Sequence, residues 1–295
     1  MAAIWNLGSL NIDRVLRVPR IVRPGETLSS QSVALFAGGK GANQSVALAR
    51  AGANVRHIGQ IGENGLWLRE LLAAEGVNVE PVRIGSAPTG EAIIQVDDAG
   101  QNAIVLVAGA NHEIVPADVD QALVSAAPGD WLLVQNETSG VAYAMRAAKL
   151  CGLRVAFNPA PFDLQVDSYP LESVDLLCLN ETEGEGMTGQ SDPEVIGESL
   201  SASLPNCEIV LTLGSAGAIC WSNEEFVRVP ACDVTPVDTT AAGDTFFGYY
   251  LAAYQQGLGL RERLAWANRA AALCVTRAGA SDSIPRRSEV LVFVS

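Results

Sequence analysis

Four short, nearly continuous apolar runs, at 131–135, 153–157, 174–179 and 209–213, constrain the fold of this chain most. A strand with one face in water alternates polar and apolar residues, so an uninterrupted run predicts a strand covered on both faces. Two further strands are predicted at 2–7 and 55–61. Helical patterns fall between them: a small-residue helix over 41–51, one over 66–75 stopped by Gly76, and one over 140–150. Two long helices follow over 242–256 and 260–277. Strands that alternate with helices need crossover connections, which give a mainly parallel sheet with helices on both sides. The fold class is therefore α/β.

Two stretches break the alternation. Residues 26–36 are strand-like but have no helix of their own. Residues 91–96 and 102–107 form a hairpin through Asp97-Asp98-Ala99-Gly100, which puts turn residues where a turn is needed. Together they predict a small antiparallel sheet outside the main one. No Pro/Gly/Ser-rich linker sets it apart, so residues 1–295 read as a single domain with lid segments at approximately 13–36 and 88–108 inserted in it.

Composition removes several classes of function. With 295 residues, 48% of them hydrophobic, the chain can bury a large core without disulfide or metal staples. Acidic residues number 33 against 19 basic ones, a net charge of -14. Nucleic-acid binding needs basic faces that displace counterions, and anionic membranes repel such a chain. No run approaches the roughly 18 apolar residues of a membrane span, and the N-terminus lacks the basic segment of a signal peptide. The six cysteines are scattered with no CxxC, which predicts reduced core thiols in a cytoplasmic protein. With only His57 and His112 beside them, a zinc site is not expected.

Four segments carry chemistry. In Asp238-Thr239-Thr240-Ala241-Ala242-Gly243-Asp244, small residues open the helix over 242–256. The backbone N–H groups of Ala241, Ala242 and Gly243 then form an anion site at a helix N-terminus. An aspartate beside it, Asp244, reads either as a helix cap or as a general base next to a phosphate pocket. In Gly38-Gly39-Lys40-Gly41-Ala42-Asn43, the glycines permit close backbone approach, and Lys40 and Asn43 stand at the mouth of the next helix. The segment is neither a P-loop nor GxGxxG, since Gln44 occupies the last glycine's place, and a plain tight turn is the competing reading. Asn180-Glu181-Thr182-Glu183 follows a predicted parallel strand, where an amide and a carboxylate suit hydrated Mg²⁺ on nucleotide phosphates. Taken without the other segments, an acidic first helical turn is the favoured reading. Asn11 and Asp13, two apart on an extended segment, point the same way and suit vicinal sugar hydroxyls, or form an Asx-turn pair.

In this order, and over nearly the whole chain, these segments resemble the ribokinase family, the PfkB-type carbohydrate and nucleoside kinases. The GGKGAN hexad, Gly109-Ala110-Asn111, Asn158-Pro159-Ala160-Pro161 and Thr212-Leu213-Gly214-Ser215 are similar to the ribokinase branch, as is Ala241 where the wider family has Gly. The resemblance implies a three-layer α/β/α sandwich with a small β-sheet lid. It implies ATP-dependent phosphorylation of D-ribose at O5, with Asp244 as the base and Ala241, Ala242 and Gly243 as the anion hole. Asn11, Asp13, Gly39, Lys40, Gly41, Asn43 and Glu137 would then hold the sugar. Asn180, Thr212, Gly214, Ser215, Gly217, Gly243 and Asn268 would surround ATP, and Glu183 would order the Mg²⁺ water shell. Activation by K⁺ is implied at Asp238, Thr240, Cys274, Arg277, Gly279 and Ser283, and a homodimer through the lid sheet.

Other readings stay open: a fructokinase, sugar-phosphate kinase or nucleoside kinase of the same family, or a non-catalytic sugar binder. Arg14, Arg17, Arg20 and Arg23 recur every three residues, which a polyproline-type segment would align into a phosphate-accepting stripe. Solvated or interface arginines are the favoured expectation.

Overall fold

A computed structural model describes residues 2–222 and 225–293. Thirteen strands are described: β1 (Ile4–Leu7), β2 (Asn11–Arg17), β3 (Ser32–Gly38), β4 (Val55–Ile61), β5 (Val82–Ile84), β6 (Gly90–Val96), β7 (Asn102–Val107), β8 (Trp131–Gln135), β9 (Arg154–Asn158), β10 (Leu176–Asn180), β11 (Glu208–Thr212), β12 (Ala218–Trp221) and β13 (Phe226–Val229). The described helices are α1 (Lys40–Arg50), α2 (Leu66–Ala74), α3 (Pro116–Leu123), α4 (Val141–Leu150), α5 (Glu181–Thr188), α6 (Pro193–Ser203), α7 (Ala242–Gln255), α8 (Leu260–Val275) and α9 (Arg287–Val292).

The large sheet has 9 strands in the order β13-β12-β11-β10-β9-β8-β1-β4-β5. It is parallel except for β12, which runs against both neighbours. Strand alternation divides its side chains between two cores. Ile4, Leu133, Leu176 and Val210 pack under α1, α2, α7 and α8, whereas Trp5, Leu132, Val134 and Leu177 pack under α3, α4 and α6. The continuous apolar runs are strands buried on both faces, as their sequence requires. The expected helices and strands stand within two residues of their predicted ends, except that 26–31 is not a strand and only Ser32–Gly38 is extended.

The second sheet has 4 strands, ordered β3-β2-β6-β7. It is mixed, not antiparallel as expected, because β2 pairs parallel with β6. The chain visits the main sheet between these two strands and so re-enters in the same direction. The arginine stripe does not form. Arg14 and Arg17 lie on β2, where a spacing of three puts them on opposite faces. Arg14 pairs with Glu91 and Arg20 with Glu26, as expected of ordinary solvated charges.

All six cysteines are free, and Cys178, Cys207, Cys220 and Cys274 are buried. Among the described residues no helix is long and apolar enough to cross a membrane.

Candidate active site

The parallel strands β1, β8, β9, β10 and β11 bring their carboxyl ends to one edge, where α/β sheets bind ligands. Ser9, Glu137, Asn158, Asn180 and Thr212 stand at or just beyond these ends. From the helices, α1 delivers Lys40, Asn43 and Gln44, and α7 delivers Asp244 in its first turn.

The α7 N-terminus has the expected form. Among the described residues Ala241 is the single non-glycine residue with positive φ, at 61°. That conformation costs an L-residue roughly 1–2 kcal/mol and accounts for the glycine that the wider family carries there. The Gly243 N–H meets no acceptor among the described residues, whereas the Ala242 N–H closes a long turn bond of 3.3 Å to Thr239. A Cβ built on Gly243 meets nothing within 4 Å, so neither packing nor backbone strain explains that glycine. Bare backbone at a helix N-terminus is a cradle for an anion.

Asp244 is 8% exposed. Its Oδ2 accepts from Asn43 Nδ2 at 3.0 Å and its Oδ1 from Gln44 Nε2 at 2.9 Å. It makes no side-chain cap bond, which removes the helix-cap reading. The Asn43 Oδ1 is buried without a partner among the described residues and is free to accept a hydrogen bond.

Asn11 and Asp13 share one face of β2, as their spacing requires. Asn11 Oδ1 accepts from Asn111 at 2.7 Å. Asp13 lies against Gly38, where a Cβ would come within 2.1 Å of its carboxylate. Burial, with the charge of Glu137 second, pushes Asp13 up to about 7. Glu137 is also raised, by burial, although Lys40 and Ser9 oppose the shift. Its Oε2 accepts from Ser9 Oγ at 2.5 Å and from the Lys40 backbone N–H at 3.1 Å. Burial works against the Lys40 ammonium, but the carboxylates of Asp244, Glu137 and Glu183 outweigh it and hold its pKa above the ordinary value. One lysine thus sits among three carboxylates.

The glycines serve different ends. Gly39 has φ 95°, which selects glycine. Gly41 is explained by packing. A Cβ there would strike Ser9 and Gly8 at 2.3–2.4 Å, so it lets α1 pack on the turn after β1.

Two adjoining cavities share Thr212, Thr239, Ala242 and Gly243. The polar one, of about 230 Å³, reaches Lys40, Asn180, Glu183 and Asp244. The other, of about 300 Å³ and largely apolar, is walled by Gly214, Ser215, Gly217, Val234, Phe246 and Asn268. Asn268 spends its amide on the carbonyls of Val229 and Pro230, so it shapes this wall through the backbone. Asn180 and Glu183 form a reciprocal helix cap with bonds of 2.9–3.1 Å. The helix cap is therefore present, and it lines the polar cavity. Burial raises the pKa of Glu183, and its carboxylate is the hard oxygen donor that a divalent ion requires.

The loop expected to take a monovalent cation assembles in part. Asp238 Oδ1 accepts from Thr240, and Oδ2 from the Gly279 N–H at 3.0 Å. Burial disfavours the Asp238 charge, but these bonds outweigh it and lower the pKa. Cys274 Sγ lies 3.0 Å from Ser283 Oγ and 3.7 Å from the Thr240 carbonyl. The Arg277 side chain turns away to Glu289 at 2.6 Å, so only its backbone remains for the loop. No group of three His, Cys, Asp or Glu suited to a metal occurs among the described residues, so carbonyls would have to supply that site.

Residues 1–287 match the pfkB family of carbohydrate kinases. The chain belongs to that family. It is 38% identical over 297 residues to the ribokinase of Haemophilus influenzae, covering 98% of this chain and 97% of that one. The structure of ribokinase from Thermotoga maritima matches with a TM-score of 0.88 at 33% identity, over 99% of this chain and 98% of that one. Arabidopsis thaliana ribokinase complexed with ribose and ATP matches with a TM-score of 0.87 at 30% identity, over 98% and 97% of the two chains. The ribokinase-like three-layer fold is thereby established for this family member.

Several residues at the site escaped the sequence reading. Ser9 pins Glu137, Asn111 pins Asn11, and Gln44 bonds both Asp244 and Asn158. Gln44 registered only as a missing glycine. Its place beside Asn43 at the mouth of α1 was the available signal.

Proposed function

We propose that the chain is an ATP-dependent ribose kinase that transfers the γ-phosphoryl group of ATP to O5 of D-ribose. The observation that carries this reading is the position of Asp244, whose buried carboxylate stands between the bare α7 N-terminus and the polar cluster of Asn11, Asp13, Lys40, Asn43 and Glu137. Asn43 Oδ1 supplies the acceptor for a sugar hydroxyl, and Asn11 and Asp13 supply a pair for adjacent hydroxyls. The adenine ring fits the apolar cavity and the phosphates the polar one. In the reaction Asp244 takes the O5 proton, O5 bonds the γ-phosphorus, and the bond from that phosphorus to the bridging oxygen breaks to release ADP. The Ala241–Gly243 backbone and Lys40 meet the charge that builds on the transferred group.

Glu183 and Asn180 are the residues fitted to Mg²⁺ through its water shell, and when bound the ion would neutralise phosphate charge. Lys40 is the one lysine at the site, in a chain of net charge -14, so phosphate binding should depend steeply on Mg²⁺. Thr240, Cys274, Arg277, Gly279 and Ser283 would hold K⁺ through backbone and hydroxyl oxygens, with Asp238 fixing the loop. Free thiols suit a reducing, cytoplasmic setting.

A kinase assay over ribose, other pentoses, fructose, fructose 6-phosphate and nucleosides, each with and without K⁺, tests the substrate. Ribose is expected to give the highest kcat/KM, and K⁺ to raise it. A preference for fructose 6-phosphate or a nucleoside would overturn the assignment. Arg14 and Arg20, already paired with carboxylates, offer a substrate phosphate little.

We read the small sheet as a lid over the sugar and as the contact between two copies. Val33 and Leu35 on β3 share one face of the small sheet with Val105 and Val107 on β7, and these four are 47–61% exposed. A patch of that kind marks an interaction face. Sedimentation should show a dimer, and Leu35→Arg combined with Val105→Arg should shift it to monomer. A wild-type monomer at micromolar concentration would end this part of the reading.

A further inference from the structure

Gln44 is 1% exposed and is not part of the cavity wall that Asp244 lines, yet it donates to Asp244 Oδ1 at 2.9 Å. An amide can present either its nitrogen or its oxygen, and only the nitrogen serves an ionised carboxylate. Asn158 Oδ1 accepts from the same nitrogen at 3.1 Å, and the other contacts that fix Gln44 in that sense lie deeper in the protein. Its Oε1 accepts from Gln135 Nε2 at 2.7 Å, and the same nitrogen donates to Asn6 Oδ1 at 2.9 Å. Asn6 Nδ2 then faces the Gly41 carbonyl and Ser45 Oγ, both at 2.8 Å. Ser45 gives its own proton to His57 Nδ1 at 2.8 Å, because His57 Nε2 must carry a hydrogen to meet the Gly8 carbonyl at 3.1 Å. His57 is fully buried, and burial pushes it down to about 4, so it stays neutral and this tautomer persists.

Each member of the chain is buried, and each has one workable orientation. Reversing any one amide would set two donors or two acceptors face to face at a cost of about 1–3 kcal/mol. The far end is a fixed acceptor, the Gly8 carbonyl, and the near end is a donor aimed at Asp244. Asn43 donates to the other carboxylate oxygen, so both oxygens are held and the carboxylate plane cannot turn freely.

We propose that Gln44 is a positioning residue for phosphoryl transfer. It holds the Asp244 carboxylate in its reacting orientation, and the buried Gln135–Asn6–Ser45–His57 chain keeps the Gln44 amide the right way round. The proposal rests on Asp244 being the base. Other groups that influence the Asp244 charge are Lys40 from α1, Glu137 beyond β8, Glu183 from α5, Cys178 from β10 and Cys274 from α8. Of these only Lys40 is a cation, and the amides of Gln44 and Asn43 are the side chains that donate to the carboxylate directly.

Steady-state kinetics on the full chain test this with Gln44→Met, which keeps the side-chain length and removes the donor. The kcat is expected to fall about 10-fold, with KM for ribose and for ATP within twofold of wild type. The acidic limb of the kcat profile should move up by about one pH unit, because the anion loses a hydrogen bond. Gln44→Glu preserves shape and adds like charge, and should move that limb further in the same direction. It also serves if the methionine variant does not fold. An unchanged kcat and pH profile in either folded variant would overturn the proposal. Failure of the base itself reads differently: Asp244→Asn would then retain turnover whatever Gln44 does.

Discussion

Replacing Asp244 by Asn is expected to lower kcat by on the order of 10²–10⁴ while leaving the protein folded and nucleotide binding intact. The loss follows from proton transfer. As O5 bonds to phosphorus its proton must leave, and Asp244 is the acidic side chain of the polar cavity that also adjoins the α7 N-terminus. Asn keeps the shape but accepts no proton. It also keeps only one acceptor oxygen, so its new NH₂ must face either Asn43 or Gln44, donor against donor. A small loss of stability, about 1 kcal/mol, should accompany the kinetic defect. Single-turnover phosphoryl transfer, ADP binding and a thermal melt separate the two effects. Wild-type turnover in a folded Asp244→Asn protein would remove the base assignment and with it the mechanism.

Much of this site was legible because its residues are tied to the chain's local geometry. The Gly243-Asp244 pair declares itself at a helix start, since small residues there leave N–H groups bare. Asn11 and Asp13 announce a common face by their spacing. Asn180 and Glu183 could be read two ways, and the cap that they form lines the polar cavity. What was not legible depends on contacts far apart in sequence. Nothing near Glu137 names Ser9 as its donor, 128 residues away, and nothing near Asp244 names Gln44, 200 residues away. The parallel pairing of β2 with β6 likewise depends on the path taken between them, which local pattern does not record. The packing need for Gly41 was not legible, because the turn at Gly8 that it meets lies on another strand end.

Asp13→Asn is expected to make the sugar-free protein more stable at pH 8 and a poorer enzyme. The wild-type carboxyl titrates near 3.8 when unfolded and at about 7 when folded, since burial, and then Glu137, disfavour its charge. A raised carboxyl pKa means that its contribution is fully present below about 4 and is lost as pH rises through 7. At pH 8 the folded protein must hold an ionised Asp13 close to Glu137, with Lys40 as the nearby cation. Removing that charge should stabilise the protein by on the order of 1–3 kcal/mol at pH 8 and by less at pH 5, where the folded carboxyl is neutral. Binding moves the other way. Hydrogen bonds from sugar hydroxyls to a carboxylate are worth about 1.5–3 kcal/mol, so KM for ribose should rise roughly 10- to 100-fold while KM for ATP holds. Thermal melts at pH 5 and pH 8, beside ribose and ATP kinetics, read both halves. A variant less stable than wild type at pH 8 would show that the Asp13 charge is compensated in the empty site. An unchanged ribose KM would show that Asp13 does not touch the sugar. The expected pairing, greater stability bought with weaker binding, is what a carboxylate held in reserve for a ligand must show.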